Sequence, residues 1–119
     1  MAAATAITNT QIKLNQLVVL GATAAVEATN GAIVDFTAAD QKVLVIAENS
    51  NSTTAYDVTI KKGNGLQGVS DYKVEIPKSE IWAGVFESGQ FKNVSGTNKG
   101  KMVIIGEAAD IKIAVYVLP

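Results

Sequence analysis

No histidine, no cysteine and no arginine occur among the 119 residues of this chain. Each absence closes a region of chemistry. Histidine titrates nearest neutrality and is the commonest general base and metal ligand. Cysteine supplies the most reactive nucleophile and the soft metal ligand, and arginine the planar fork that grips phosphate and carboxylate. The composition therefore predicts a protein that is not an enzyme, with no catalytic residues, no cofactor and no metal. A zinc or copper site would have to be built from carboxylates alone, and these suit harder ions. The lack of cysteine also means that no disulfide staples the fold, which a chain of 12.4 kDa can do without.

Charge of either sign is scarce as well. Ten lysines face eleven acidic residues, for a net charge of −1, and the longest basic run is the pair Lys61 and Lys62. A nucleic-acid binder needs a clustered positive surface, so no nucleic acid is expected as a partner. No stretch approaches the ~18 apolar residues of a membrane span, so no membrane is expected either. Residues 17–20 followed by Ala22, Thr23 and Ala24 mimic a signal peptide with its cleavage site. The apolar run is only four residues long, short of the ~7–15 such a segment needs, so the expected mature chain starts at or near Met1.

What the chain does have is period-two alternation. Tyr56, Val58 and Ile60 alternate with Asp57, Thr59 and Lys61, and Tyr72, Val74 and Ile76 with Lys73 and Glu75 until Pro77 ends the run. Ile111, Ile113, Val115 and Val117 share one face of a strand whose other face carries Lys112, Ala114, Tyr116 and Leu118. Residues 42–48 (Lys-Val-Leu-Val-Ile-Ala-Glu) are of strand length and unbroken apolar between their charged ends, the pattern of a central strand covered on both faces. Further strands are expected over residues 12–20, 32–36 (opened by the tight-turn pair Asn30 and Gly31), 81–86 and 101–105. Helical signal is poor. Residues 23–29 are interrupted by β-branched side chains, and residues 37–40 suit a single turn capped by Thr37.

About eight strands at this spacing predict an all-β fold. Each alternating strand must bury one face, so the expected architecture is a two-sheet antiparallel β-sandwich of jelly-roll or Greek-key type, with an immunoglobulin-like sandwich as the alternative. Val43, Val45, Val58, Ile60, Val74, Ile76, Ile104, Ile113 and Val115 are its expected core. Residues 1–10 are small, uncharged and aperiodic, which predicts a flexible N-terminal arm, and residues 11–119 form the single domain. The arm and its continuation are the expected partner-binding residues, namely Thr5, Ile7, Thr8, Ile12 and Leu14, because they offer apolar anchors with little charge to desolvate.

Three features imitate chemistry. Residues 63–68 (Gly-Asn-Gly-Leu-Gln-Gly) match G-x-G-x-x-G after a strand, but residues 69–76 alternate like a strand where a dinucleotide site needs a helix. A structural loop without nucleotide affinity is expected, with Gly63, Gly65 or Gly68 at positive φ. Asp35 with Asp40, and Asp71 with Glu75, could pair as glycosidase acids or bind calcium, but Lys73 between the latter two reads as a mixed-charge strand surface. Trp82 and Phe86 share one strand face, which suits core or interface filling, while aromatics exposed on a sandwich also suit sugars.

A resemblance adds a candidate role. Residues 36–46 (Phe-Thr-Ala-Ala-Asp-Gln-Lys-Val-Leu-Val-Ile) leading to Asn49, then residues 58–65 (Val-Thr-Ile-Lys-Lys-Gly-Asn-Gly), resemble successive phrases of small head decoration proteins of tailed bacteriophages. Residues 87–92 and 99–103 are similar to that family's closing phrases, although Gln41 and Gln90 stand where the family often has Gly and Arg. The resemblance implies a capsid-stabilising structural virion protein on the outer capsid surface, made in the host cytoplasm. Its implied partners are the major capsid protein and sister subunits in a homo-oligomer, a trimer by preference. The alternative is a carbohydrate-binding or adhesion module of a phage tail or cell surface.

Overall fold

The structure, a computed structural model, describes residues 3–19, 23–27, 29–36 and 42–119. Among these the chain is nearly all β, with strands β1 (Thr5–Ile7), β2 (Asn9–Gln11), β3 (Ala24–Ala25), β4 (Ala32–Asp35), β5 (Val43–Asn49), β6 (Tyr56–Ile60), β7 (Tyr72–Ile76), β8 (Ile81–Val85), β9 (Lys101–Gly106) and β10 (Ile111–Val117). One short helix, α1 (Ser88–Phe91), stands between β8 and β9, where the sequence carries no helical signal.

The strands form two packed sheets, as their alternation requires. Sheet A has the order β1-β4-β9-β6-β7 and sheet B the order β2-β10-β5-β8, with β3 also on β10. Inward side chains interdigitate between them. Val34, Phe36, Ile76, Met102, Ile104, Ile111 and Ile113 are almost wholly excluded from water, each worth ~1.5–3 kcal/mol relative to exposure. Of the nine expected core residues eight are buried, and Val74 is half-buried for a reason that the site explains below.

Two expectations are corrected here. The sheets are mixed rather than purely antiparallel, because β1 runs parallel to β4 and β2 parallel to β10. The same pairings overturn the flexible arm. From Thr5 the expected arm is two strands, one in each sheet, with only Thr8 between them. Residues 12–19, expected to be a strand, form none. They leave β2 through turns, with Asn15 at positive φ.

The Asn30–Gly31 turn is present. Gly31 takes φ 74°, and a Cβ there would lie 2.1 Å from the Ile104 carbonyl oxygen, so any side chain clashes. The Glu27 carboxylate accepts the amides of Thr29 (3.0 Å) and Asn30 and fixes the turn that feeds β4. The expected turn at residues 37–40 lies outside the described residues.

Candidate functional site

β8 is the least covered strand of the sandwich and carries no charged residue. Its register against β5 places Trp82 opposite Ala47 and Gly84 opposite Val45 on the inner face. Ile81, Ala83 and Val85 face outward beside Glu48, Ile46 and Leu44. On that outer face cover falls off across the sheet. Ala114 and Tyr116 of β10 are buried, Leu44 and Ile46 of β5 are half-buried, and Ile81 of β8 is 63% exposed. The central strand β5 is thus covered on its inner face and only partly on its outer one, which corrects the expectation drawn from its unbroken apolar run.

The inner face is open too. β7 and β8 are the last strands of their sheets on the same side of the sandwich, and they stand apart. An apolar cleft of about 250 Å³ lies between them, floored by Val45, Ala47, Val58 and Ile60 and walled by Tyr72, Val74, Ile76, Trp82 and Phe86. Val74 is half-buried because it faces this cleft rather than a packed neighbour.

The two walls of the cleft are tied to each other near their ends. At one end the ring of Phe86 meets Tyr72 (centroids 5.7 Å apart) and, edge to face, Phe91 of α1 (5.4 Å). At the other stands Asn49, the one buried polar side chain among the described residues. Its Nδ2 donates to the carbonyls of Thr54 (2.9 Å) and Ile76 (3.1 Å), and its Oδ1 accepts the Asn51 amide (2.9 Å). The Asn49 backbone amide donates to Glu80 (3.0 Å). One residue therefore holds the end of β7 and the start of β8. Around it Asn51 Oδ1 accepts the amides of Thr53 and Thr54, both at 2.8 Å, and orders the polar loop after β5.

The imitations of chemistry resolve into structure. Residues 63–68 are followed by β7, not a helix. Positive φ occurs at Gly31, Gly96 and Gly100 and not at Gly63, Gly65 or Gly68, which corrects that expectation. The glycines serve close approach instead. A Cβ on Gly68 would lie 2.0 Å from the Gly63 carbonyl oxygen, and one on Gly63 lies 2.3 Å from that of Lys92. Asn64 ties the loop to residues 94 and 95, accepting the Val94 amide at 2.8 Å and donating to the Ser95 carbonyl at 3.0 Å.

Asp71 accepts the Lys62 amide (2.7 Å) and pairs with Lys61 (3.1 Å), and these two contacts, the amide first, hold its carboxyl below the ordinary aspartate value of 3.8. Glu75 stands opposite Asp57, which pairs with Lys73 at 3.4 Å. The two acids sit on a salted strand surface. Asp40 lies outside the described residues, and among those described no three acidic residues group as metal ligands. No helix among them is long and apolar enough to cross a membrane.

The expected partner-binding residues are not brought together. Ile7 is buried in the core, and Thr5 donates its hydroxyl to the Ala25 carbonyl (2.9 Å). Thr8 is the link between β1 and β2, and Ile12 is half-buried with its amide on the Val117 carbonyl (2.7 Å). Thr8 and Leu14 are exposed, Leu14 to 74%. The site around β8 is a different one. Its signal in the sequence was the shared parity of Trp82 and Phe86 in a strand without charge. No family model, curated protein or solved structure matches the chain.

Proposed function

We propose that this protein is a non-enzymatic structural virion protein that decorates and stabilises the outer surface of a tailed-phage capsid. In this reading it is made in the host cytoplasm, forms a homo-oligomer, by preference a trimer, and clamps the major capsid protein. The observation that carries the reading is the exposed, uncharged outer face of β8, with Ile81, Ala83 and Val85 beside half-buried Leu44 and Ile46. A mostly apolar face whose one neighbouring charge is the acidic Glu48 suits a protein surface and offers a phosphate backbone no cation to pair with. The resemblance of residues 36–119 to head decoration proteins supplies the class of partner. Decoration needs no reaction, and contacts that are weak singly become strong when repeated over a symmetric lattice.

The test is binding of the purified protein to expanded, undecorated capsids beside a glycan array. Saturable binding to capsids is expected, weakened at least tenfold by Ile81→Lys. Glycan binding without capsid binding replaces this reading with the carbohydrate-binding or adhesion module.

A further inference from the structure

Two parts of the chain are unfinished, one continuing from β2 and one at β8, the opposite edges of sheet B. The first is the segment over residues 12–19. Its composition is that of a strand, yet among the described residues no strand pairs with it beyond Ile12, whose amide donates to Val117 and whose carbonyl accepts from Gln11 Nε2, and Leu17 and Val19 stand 99% and 89% exposed. The second is the β7–β8 cleft with the free edge of β8. Natural edge strands are guarded by lysine, proline, bulges or inward charge, and an unguarded apolar edge is a template for another strand. β7 carries Lys73 and Glu75, whereas β8 carries no such guard.

The segment does not line its own cleft. It departs from β2, three strand steps from β8 across sheet B, roughly 14 Å at ~4.8 Å per step. A donor on one side and an acceptor on the other define a head-to-tail contact between copies.

We propose that residues 12–19 of one copy add as a strand to the free edge of β8 in a second copy, seating Leu17 and Val19 in its cleft. In an extended chain Leu17 and Val19 point to the same side, ~6.7 Å apart, as a strand covering the sandwich mouth requires. The volume fits. An apolar cavity of ~150 Å³ accommodates benzene, and this cleft is about 250 Å³, so it takes two aliphatic side chains. Charge fits also. The one charged residue of the donor is Lys13, and both flanks of β8 are acidic, Glu80 and Glu87. The added backbone hydrogen bonds supply the affinity and the two seated side chains the register, as in other strand additions. This deepens the sister-subunit contact of the proposed function and leaves the outer face of β8 for the capsid.

The experiment uses the purified full chain without capsids, so its outcome is separate from capsid binding. Sedimentation across a concentration series is expected to give a discrete multimer, with the midpoint of association moved at least tenfold upward by Leu17→Asp. Leu17 is bare in the single copy, so that variant leaves the fold intact. Because the chain has no cysteine, a Leu17→Cys chain mixed under oxidising conditions with a Trp82→Cys chain is expected to form a mixed disulfide. A Lys73→Cys chain, altered on the outer face of β7, is expected to form none with the Leu17→Cys chain. A wild-type monomer at every concentration, association unchanged by Leu17→Asp, or equal cross-linking to position 73 overturns the proposal.

Discussion

β7 and β8 are two edge strands of equal length on the same side of one sandwich, and they are finished differently. β7 buries Ile76, packs Tyr72 against Phe86 and turns Lys73 and Glu75 to water, where Lys73 meets Asp57. β8 turns Ile81, Ala83 and Val85 to water and leaves Trp82 40% exposed over an open cleft. Salt pairs of the β7 kind contribute at most ~1 kcal/mol each to stability. Their value lies in making the edge unattractive to another chain, which β8 does not attempt. The contrast separates a closed edge from an open one: β7 serves the fold, and β8 is the strand that the proposed function gives to a partner.

Four measurements break or sharpen this contrast. Ile76→Ala empties a fully buried position and is expected to lower unfolding stability by about 3–4 kcal/mol in a denaturant titration. Asn49→Ala strands the carbonyls of Thr54 and Ile76 and the amide of Asn51, so a loss of about 2–3 kcal/mol is expected in the same titration. It is also expected to speed amide exchange where β7 ends and β8 begins, the region this side chain clasps. Ile81→Ala on β8 is expected to cost under ~0.5 kcal/mol in dilute protein, as exposed positions do. A cost near that of Ile76→Ala erases the distinction between the strands.

The smallest effect belongs to the flank of β7. The folded-state pKa of Asp71 lies below its unfolded value, so its contribution is present above about 3.8 and is lost as pH falls through the folded value. Asp71→Asn is expected to flatten the acid limb of a stability profile below pH ~4 and to leave neutral-pH stability little changed. An acid limb as steep in Asp71→Asn as in the wild type assigns the dependence to other carboxylates.

Strands whose own side chains declare a buried face were legible. Tyr56–Ile60, Tyr72–Ile76 and Ile111–Val117 occupy the residues their alternation marks out, because alternation is the physical consequence of one wet face and one dry one. β1 and β2 were not legible. They are three residues each, made largely of Thr, Ala, Asn and Gln, and what orders them is the free backbone of β4 and β10 rather than any pattern of their own. Residues 12–19 erred in the opposite direction: a strand-like sequence that forms no strand among the described residues. The parity of Trp82 and Phe86 was readable, but the cleft was not. It depends on how far apart two sheets leave their last strands, a distance no local pattern encodes.

The position of β10 along the chain has a consequence for the order of assembly. Sheet A contains all of its strands once β9 has been made. Sheet B has no centre until β10 emerges, after every other described strand, and then it must gather β2, β3 and β5 together. Gln11 meets Val117 across 106 residues of chain, a contact that local folding cannot anticipate. At ~5–20 residues per second, a nascent chain holds β5 and β8 without their closing neighbour for seconds. During that interval the strands least guarded against foreign edges are also the least restrained. Slowing translation after β9 is therefore expected to increase the share lost to aggregation, read as the ratio of soluble to insoluble protein.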